Sequence, residues 1–100
     1  MHRNRKFSSN LTWVDVYSGP CFQGRIRRLR GDSPKHDGIY KGNALPRFGS
    51  LIVGPGAVAE FVQRGGSGRI CVSQRTVLAD ATRLVNGQGL QSLRIAAVGN

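Results

Sequence analysis

One hundred residues make one domain, which at this size buries roughly 65% of the surface its unfolded chain exposes, enough for a core without obligatory staples. Fifteen Lys and Arg against five Asp and Glu leave a formal charge of +10, which directs attention to anionic partners. No stretch reaches the ~18 consecutive apolar residues of a membrane span. The basic start, Met1-His2-Arg3-Asn4-Arg5-Lys6, leads into polar Ser8-Ser9-Asn10 rather than an apolar signal core, so the chain as it stands reads as cytoplasmic.

In chain order, residues 1–10 read as a basic flexible arm, because charge is mixed there with Ser and Asn and no apolar periodicity is present. The domain proper is expected over 11–100. Residues 11–17 predict a first strand with Trp13 packed at its start, broken by Gly19-Pro20. Residues 24–30 predict a second strand, Gly31-Asp32-Ser33-Pro34 and Asp37-Gly38 are turn clusters, and Ile39-Tyr40 predicts a short third strand. Residues 48–53 predict a fourth, and Gly54-Pro55-Gly56 turns the chain tightly into a second series: 57–62, 69–73, an element within 77–85, and 91–97. The third element of this second series is compatible with a strand or with one or two helical turns.

The two series echo each other. Val16-Tyr17, Phe22-Gln23-Gly24-Arg25-Ile26 and Ser50-Leu51 recur as Glu60-Phe61, Gly66-Ser67-Gly68-Arg69-Ile70 and Ser92-Leu93, about 42 to 44 residues later. A period of that length with strand-like content implies a supersecondary unit of four short strands, duplicated as motif one (11–54) and motif two (55–98).

Tyr17-Ser18-Gly19-Pro20-Cys21-Phe22-Gln23-Gly24 resembles the signature of the βγ-crystallin family: an aromatic, four residues, an aromatic, one residue and glycine. The resemblance implies an all-β, two-sheet Greek key β-sandwich with pseudo-twofold four-stranded motifs and a strand exchanged between sheets. It further implies a folded hairpin covered by its aromatic, with glycine in a conformation a side chain would obstruct, closed by hydrogen bonds from Ser50 and Ser92. The signature positions are then Tyr17, Phe22, Gly24 and Ser50 in motif one, and Phe61, Gly68 and Ser92 in motif two. Gly66 stands where the second aromatic of motif two belongs.

Calcium follows from the resemblance only if the ligands are present. The family's stretch runs Asn/Asp, Asn/Asp, two free positions, Ser/Thr, Ser. Here it reads Leu45-Pro46-Arg47-Phe48-Gly49-Ser50 and Gly87-Gln88-Gly89-Leu90-Gln91-Ser92, neither with an acid. Calcium takes six to eight oxygens, commonly including carboxylates, and Asn43 and Asn86 are out of register. No cofactor is expected and no metal site is assigned; any surviving calcium binding is weak.

The charge is not explained by the resemblance. Arg25, Arg27, Arg28 and Arg30 crowd one strand, beside Arg3, Arg5 and Lys6 of the arm, and these seven are the polyanion-binding candidates. Strand alternation pairs Arg28 with Arg30 on one face and Arg25 with Arg27 on the other. Aromatic stacking on nucleobases is left to Tyr40, Phe48, Trp13 and Phe7, since Tyr17, Phe22 and Phe61 are packing positions. The bland alternative is a solvated surface that keeps the protein soluble.

Other motifs carry less. Arg30-Gly31-Asp32 has the spelling of an adhesion tripeptide but sits where turn geometry alone accounts for it. His2 and His36 have no nucleophile and carboxylate at working spacing, so no enzyme is expected. Cys21 and Cys71 form no metal motif, and whether they are bridged stays open. The expected function is a non-catalytic structural or binding module with degenerate or absent calcium sites. The alternative is a basic effector, similar to the killer-toxin, antifungal or protease-inhibitor relatives of the fold, or a polyanion-binding protein acting through its arginines. The partner is left open, with a polyanion or a protein as the candidates, and the chain is expected to be a monomer or weak dimer.

Overall fold

The computed structural model describes residues 11–31, 38–63, 69–81 and 90–97. Eight strands form within them: β1 (Trp13–Tyr17), β2 (Ile26–Arg30), β3 (Ile39–Lys41), β4 (Ser50–Val53), β5 (Ala57–Gln63), β6 (Arg69–Val72), β7 (Val77–Leu78) and β8 (Leu90–Ala97), with one 3-10 turn at Gly42–Ala44. None of the described helices is long and apolar enough to cross a membrane. The ambiguous third element of the second series begins as the two-residue strand β7; residues 82–89 lie outside the described ones. The arm 1–10, with Arg3, Arg5 and Lys6, also lies outside them, as do Gly68, Asp32 and His36.

The strands make two four-stranded sheets in the orders β2-β1-β4-β7 and β3-β8-β5-β6. Reading the second backwards as β6-β5-β8-β3 gives the first with the halves interchanged, because each motif lends its third strand to the sheet of the other. This is the expected Greek key β-sandwich. Every ladder is antiparallel, so alternate residues of each strand enter the space between the sheets. Val14, Val16, Leu29, Leu51 and Val53 enter it from one side, and Ala57, Ala59, Phe61, Val72, Leu93 and Ile95 from the other. Phe61 is fully buried, its ring centroid 6.0 Å from that of Phe48. The Tyr40 hydroxyl of the second sheet ties in β2 of the first: it accepts from the Arg30 N–H at 3.0 Å and donates to the Arg30 carbonyl at 2.8 Å.

The registers correct one expectation. In the first sheet Tyr17 lies opposite Ser50, whereas in the second the residue opposite Ser92 is Val62, and Phe61 faces Leu93. With the two serines taken as equivalent, the counterpart of Tyr17 is therefore Val62, and Phe61 corresponds to Val16. The equal spacing from aromatic to glycine in the two copies misleads, because the connection from β5 to β6 is shorter. Tyr17 pairs with Ile26 across eight intervening residues (18–25), and Val62 with Arg69 across six (63–68). A one-residue shift moves a side chain to the opposite face of a strand. Phe61 accordingly leaves the signature role and becomes a fully buried core residue, while Tyr17 stays half-buried.

This register makes an asymmetric prediction. Phe61→Ala should cost about 3–5 kcal/mol, the range for deleting a buried ring, and Val62→Ala about 1 kcal/mol or less, since Val62 is half-buried. Urea unfolding of the two variants checks it; equal losses would contradict the register.

Candidate functional site

The connection between β1 and β2, residues 18–25, folds back on itself. Gly19 N–H donates to the Gln23 carbonyl at 2.9 Å, Ser18 N–H to the Arg25 carbonyl at 2.9 Å, and Arg25 N–H to the Ser18 hydroxyl at 2.9 Å. The turn carries Cys21, Phe22 and Gly24 through φ of 55°, 60° and 87°. At Gly24 a Cβ would collide with that same Ser18 hydroxyl, so glycine is required by space as well as by backbone. Phe22 meets Tyr17 edge to face, centroids 5.5 Å apart. The hairpin is then pinned from β4: the buried Ser50 hydroxyl accepts from the Phe22 N–H at 3.0 Å and donates to the Gly19 carbonyl at 2.7 Å. In motif two, Ser92 lies on β8, but residues 64–68 that would hold the matching hairpin are outside the described ones.

Residues 45–50, where the resemblance puts calcium ligands, do not fit that ion. Leu45 and Pro46 supply no side-chain oxygen. The Ser/Thr position is Gly49, and a Cβ there would come within 2.7 Å of the Gly19 and Pro20 backbone, so a hydroxyl cannot be placed without moving the hairpin. Among the described residues there is no group of three His, Cys, Asp or Glu able to hold a metal. Of the second stretch, residues 87–89 lie outside the described ones.

The arginines divide by role. Arg28 grips Asp15 on the neighbouring strand with two bonds, Nε to Oδ1 at 2.7 Å and a terminal nitrogen to Oδ2 at 2.8 Å. Its guanidinium also lies 3.9 Å from the centre of the Trp13 ring. The Asp15 side chain is only 9% exposed and that of Arg28 41%, so the arginine roofs a buried carboxylate and its charge is neutralised there. The hydrogen bond to Asp15 raises the Arg28 guanidinium above its ordinary value, against a smaller opposing effect of burial. A cation raised in the folded state contributes its stabilisation in full below the unfolded value and loses it only above the folded one. The arginine therefore adds no pH dependence near neutrality. Arg69 similarly pairs with Glu60 at 3.0 Å on the exposed side of β5 and β6.

Arg25 and Arg27 differ. Both are exposed, and among the described residues no carboxylate pairs with either. They line a shallow depression of about 270 Å³ together with Val16, Ser18, Ile26, Pro46 and Arg47. Arg47 escapes strand-based reasoning because it comes from the loop before β4; its one sequence signal is that a cation occupies a stretch the resemblance reserves for calcium ligands. The link from Asp15 to Arg28 was not anticipated; its one sequence signal is a lone acid inside an apolar strand, one hairpin away from an arginine-rich one. The aromatic candidates for base stacking are engaged or buried: Tyr40 in the core, Phe48 on Phe61, and Trp13 under Arg28; Phe7 lies outside the described residues. Cys21 and Cys71 are exposed free thiols.

No protein-family model and no curated protein matches the chain in sequence. Solved structures do match it. One, described under the evolution of the eye-lens βγ-crystallin domain fold, is 20% identical, with 89% of each chain covered and a TM-score of 0.65. The βγ-crystallin domain of Abundant Perithecial Protein from Neurospora crassa, in its Ca2+-bound form, is 19% identical over 89% of this chain and 92% of its own, with a TM-score of 0.65. The N-terminal domain of protein S is 23% identical over 88% of this chain and 99% of its own, with a TM-score of 0.62. The chain therefore has the fold of βγ-crystallin domains.

Three substitutions test the site's construction. Arg28→Gln leaves Asp15 buried without its partner and should cost about 2–3 kcal/mol, below the loss for a fully buried pair because water reaches Arg28. Adding Asp15→Asn should recover part of that loss in urea unfolding; a loss of Arg28 below about 0.5 kcal/mol would show the pair to be a surface contact. Ser50→Ala removes both clasps on the hairpin and should cost about 1–3 kcal/mol, with amide exchange accelerated at Phe22.

Proposed function

We propose that the protein is a non-catalytic β-sandwich module of the βγ-crystallin kind, structural or binding in role, in which the calcium site of motif one is degenerate. The observation that carries this is the composition of 45–50: Gly49 lies under the hairpin backbone and Arg47 lines a wall with Arg25 and Arg27. One neighbour in the same fold is described in a Ca2+-bound form; here Leu45 and Pro46 stand at the Asn/Asp positions of the corresponding stretch, and the guanidinium of Arg47 at the free position beside them would repel a divalent cation. Asp15 and Glu60 are taken by arginines.

A calorimetric and thermal titration tests this reading. A site of micromolar affinity would stabilise the protein by about 4 kcal/mol at 1 mM calcium, and each kcal/mol moves the Tm of a domain this size by about 4–8 °C. The expected shift at 1 mM is under about 2 °C. A rise of many degrees would overturn the degenerate assignment.

A second reading, a basic effector or polyanion-binding protein, is favoured by the uncompensated arginines of the depression. Three exposed guanidiniums gather around one hollow, where arginine can offer paired N–H bonds to an oxyanion. The partner under this reading is an anionic polymer.

A further inference from the structure

The depression between the start of β2 and the loop before β4 has a composition of its own. Arg25 and Arg27 reach it from β2 and the hairpin, and Arg47 from the loop. Ser18 and carbon from Val16, Ile26 and Pro46 form the rest of its lining, with Ile26 56% exposed and Val16 buried at its floor. Two elements distant in sequence thus bring three cations to one hollow, held in place by the Ser50 clasp that fixes the hairpin three residues from Arg47. The cations repel one another, and among the described residues no acid relieves them. An anion would.

The size and lining select the ligand. Pockets for drug-sized molecules run from about 300 Å³ upward, so about 270 Å³ suits one anionic group with the ring that bears it. Guanidiniums match tetrahedral oxyanions with paired N–H bonds. Nucleobases want an aromatic platform, and no aromatic residue lines the hollow; aliphatic carbon suits the face of a sugar ring instead. The geometry points to a binding site for the sulfate or phosphate ester of a saccharide, held by Arg25, Arg27 and Arg47 against the carbon of Ile26 and Pro46. This rests on the second reading above and places it at one site, with Arg28 excluded because Asp15 already occupies it.

The test uses the full chain, a heparin-derived tetrasaccharide, glucose 6-phosphate, inorganic sulfate and a single-stranded oligothymidylate of equal charge, by calorimetry at about 0.15 M salt. The variant Arg25→Gln, Arg27→Gln, Arg47→Gln is compared with a charge-matched control, Lys41→Gln, Arg75→Gln, Arg94→Gln. The tetrasaccharide should bind the wild type, weaken more than about tenfold in the first variant and less than about threefold in the control. Glucose 6-phosphate in turn should outbind inorganic sulfate, because its ring meets the carbon wall. The first variant should melt no lower than the wild type, since the repulsion is relieved. No binding to the wild type by any probe would overturn both this site and the reading it rests on. Binding that is unchanged in the first variant, or equally weakened in the control, would overturn the site alone and leave a diffuse polyanion surface. Tighter binding of the oligothymidylate than of the tetrasaccharide, lost in the first variant, would overturn the saccharide and assign the hollow to nucleic acid.

Discussion

The Ser50 hydroxyl is the contact on which the hairpin end of the molecule depends. A hairpin of eight residues is too long to be fixed by its flanking ladder alone, and three of its residues sit at positive φ. One buried oxygen, accepting from Phe22 and donating to Gly19, holds it against β4, and the Cys21 N–H donates to the Ala79 carbonyl at 2.8 Å beyond β7. From that clasp follow the closeness of the hairpin backbone to Gly49, the direction in which the chain leaves at Arg25, and the meeting of Arg25 and Arg27 with Pro46 and Arg47. The same clasp that the fold uses to close a motif sets the geometry of the charged hollow.

Charge is then the second constraint on this surface. The strand exchange and the core are indifferent to the sign of surface groups, so the same sandwich can hold a cation or repel one. Here the acids are few, and the two described ion pairs use Asp15 to anchor Arg28 and Glu60 to meet Arg69. What is left over is positive, and part of it gathers in one place. A structural role and an anion-binding role are compatible, because the arginines of the hollow lie on the surface and the core is built without them.

Most of the architecture was legible because β periodicity and turn residues are local signals. The strands β1, β2, β5 and β8 were expected within two residues of where they lie, and Gly19-Pro20 and Gly54-Pro55-Gly56 marked the breaks. The equivalence of Tyr17 with Phe61 was not legible correctly. Spacing along the chain cannot register a hairpin shortened by two residues, whereas the ladder opposite Ser50 and Ser92 can. The face rule separated Arg25 and Arg27 from Arg28 and Arg30, but alternation cannot say which cation finds a buried carboxylate. Arg47 was invisible to strand reasoning, since its place in the hollow is a tertiary fact carried by the loop between the 3-10 turn and β4.

The claim that the site of this fold has changed sign is tested most directly by backbone amide NMR of the wild-type chain, titrated separately with calcium and with sulfate. The expected result is that sulfate shifts the amides of Arg25, Arg27 and Arg47 in a saturable way while millimolar calcium leaves Gly49 and Ser50 unmoved. Saturable calcium shifts at Gly49 and Ser50, with none at the three arginines in sulfate, would contradict it.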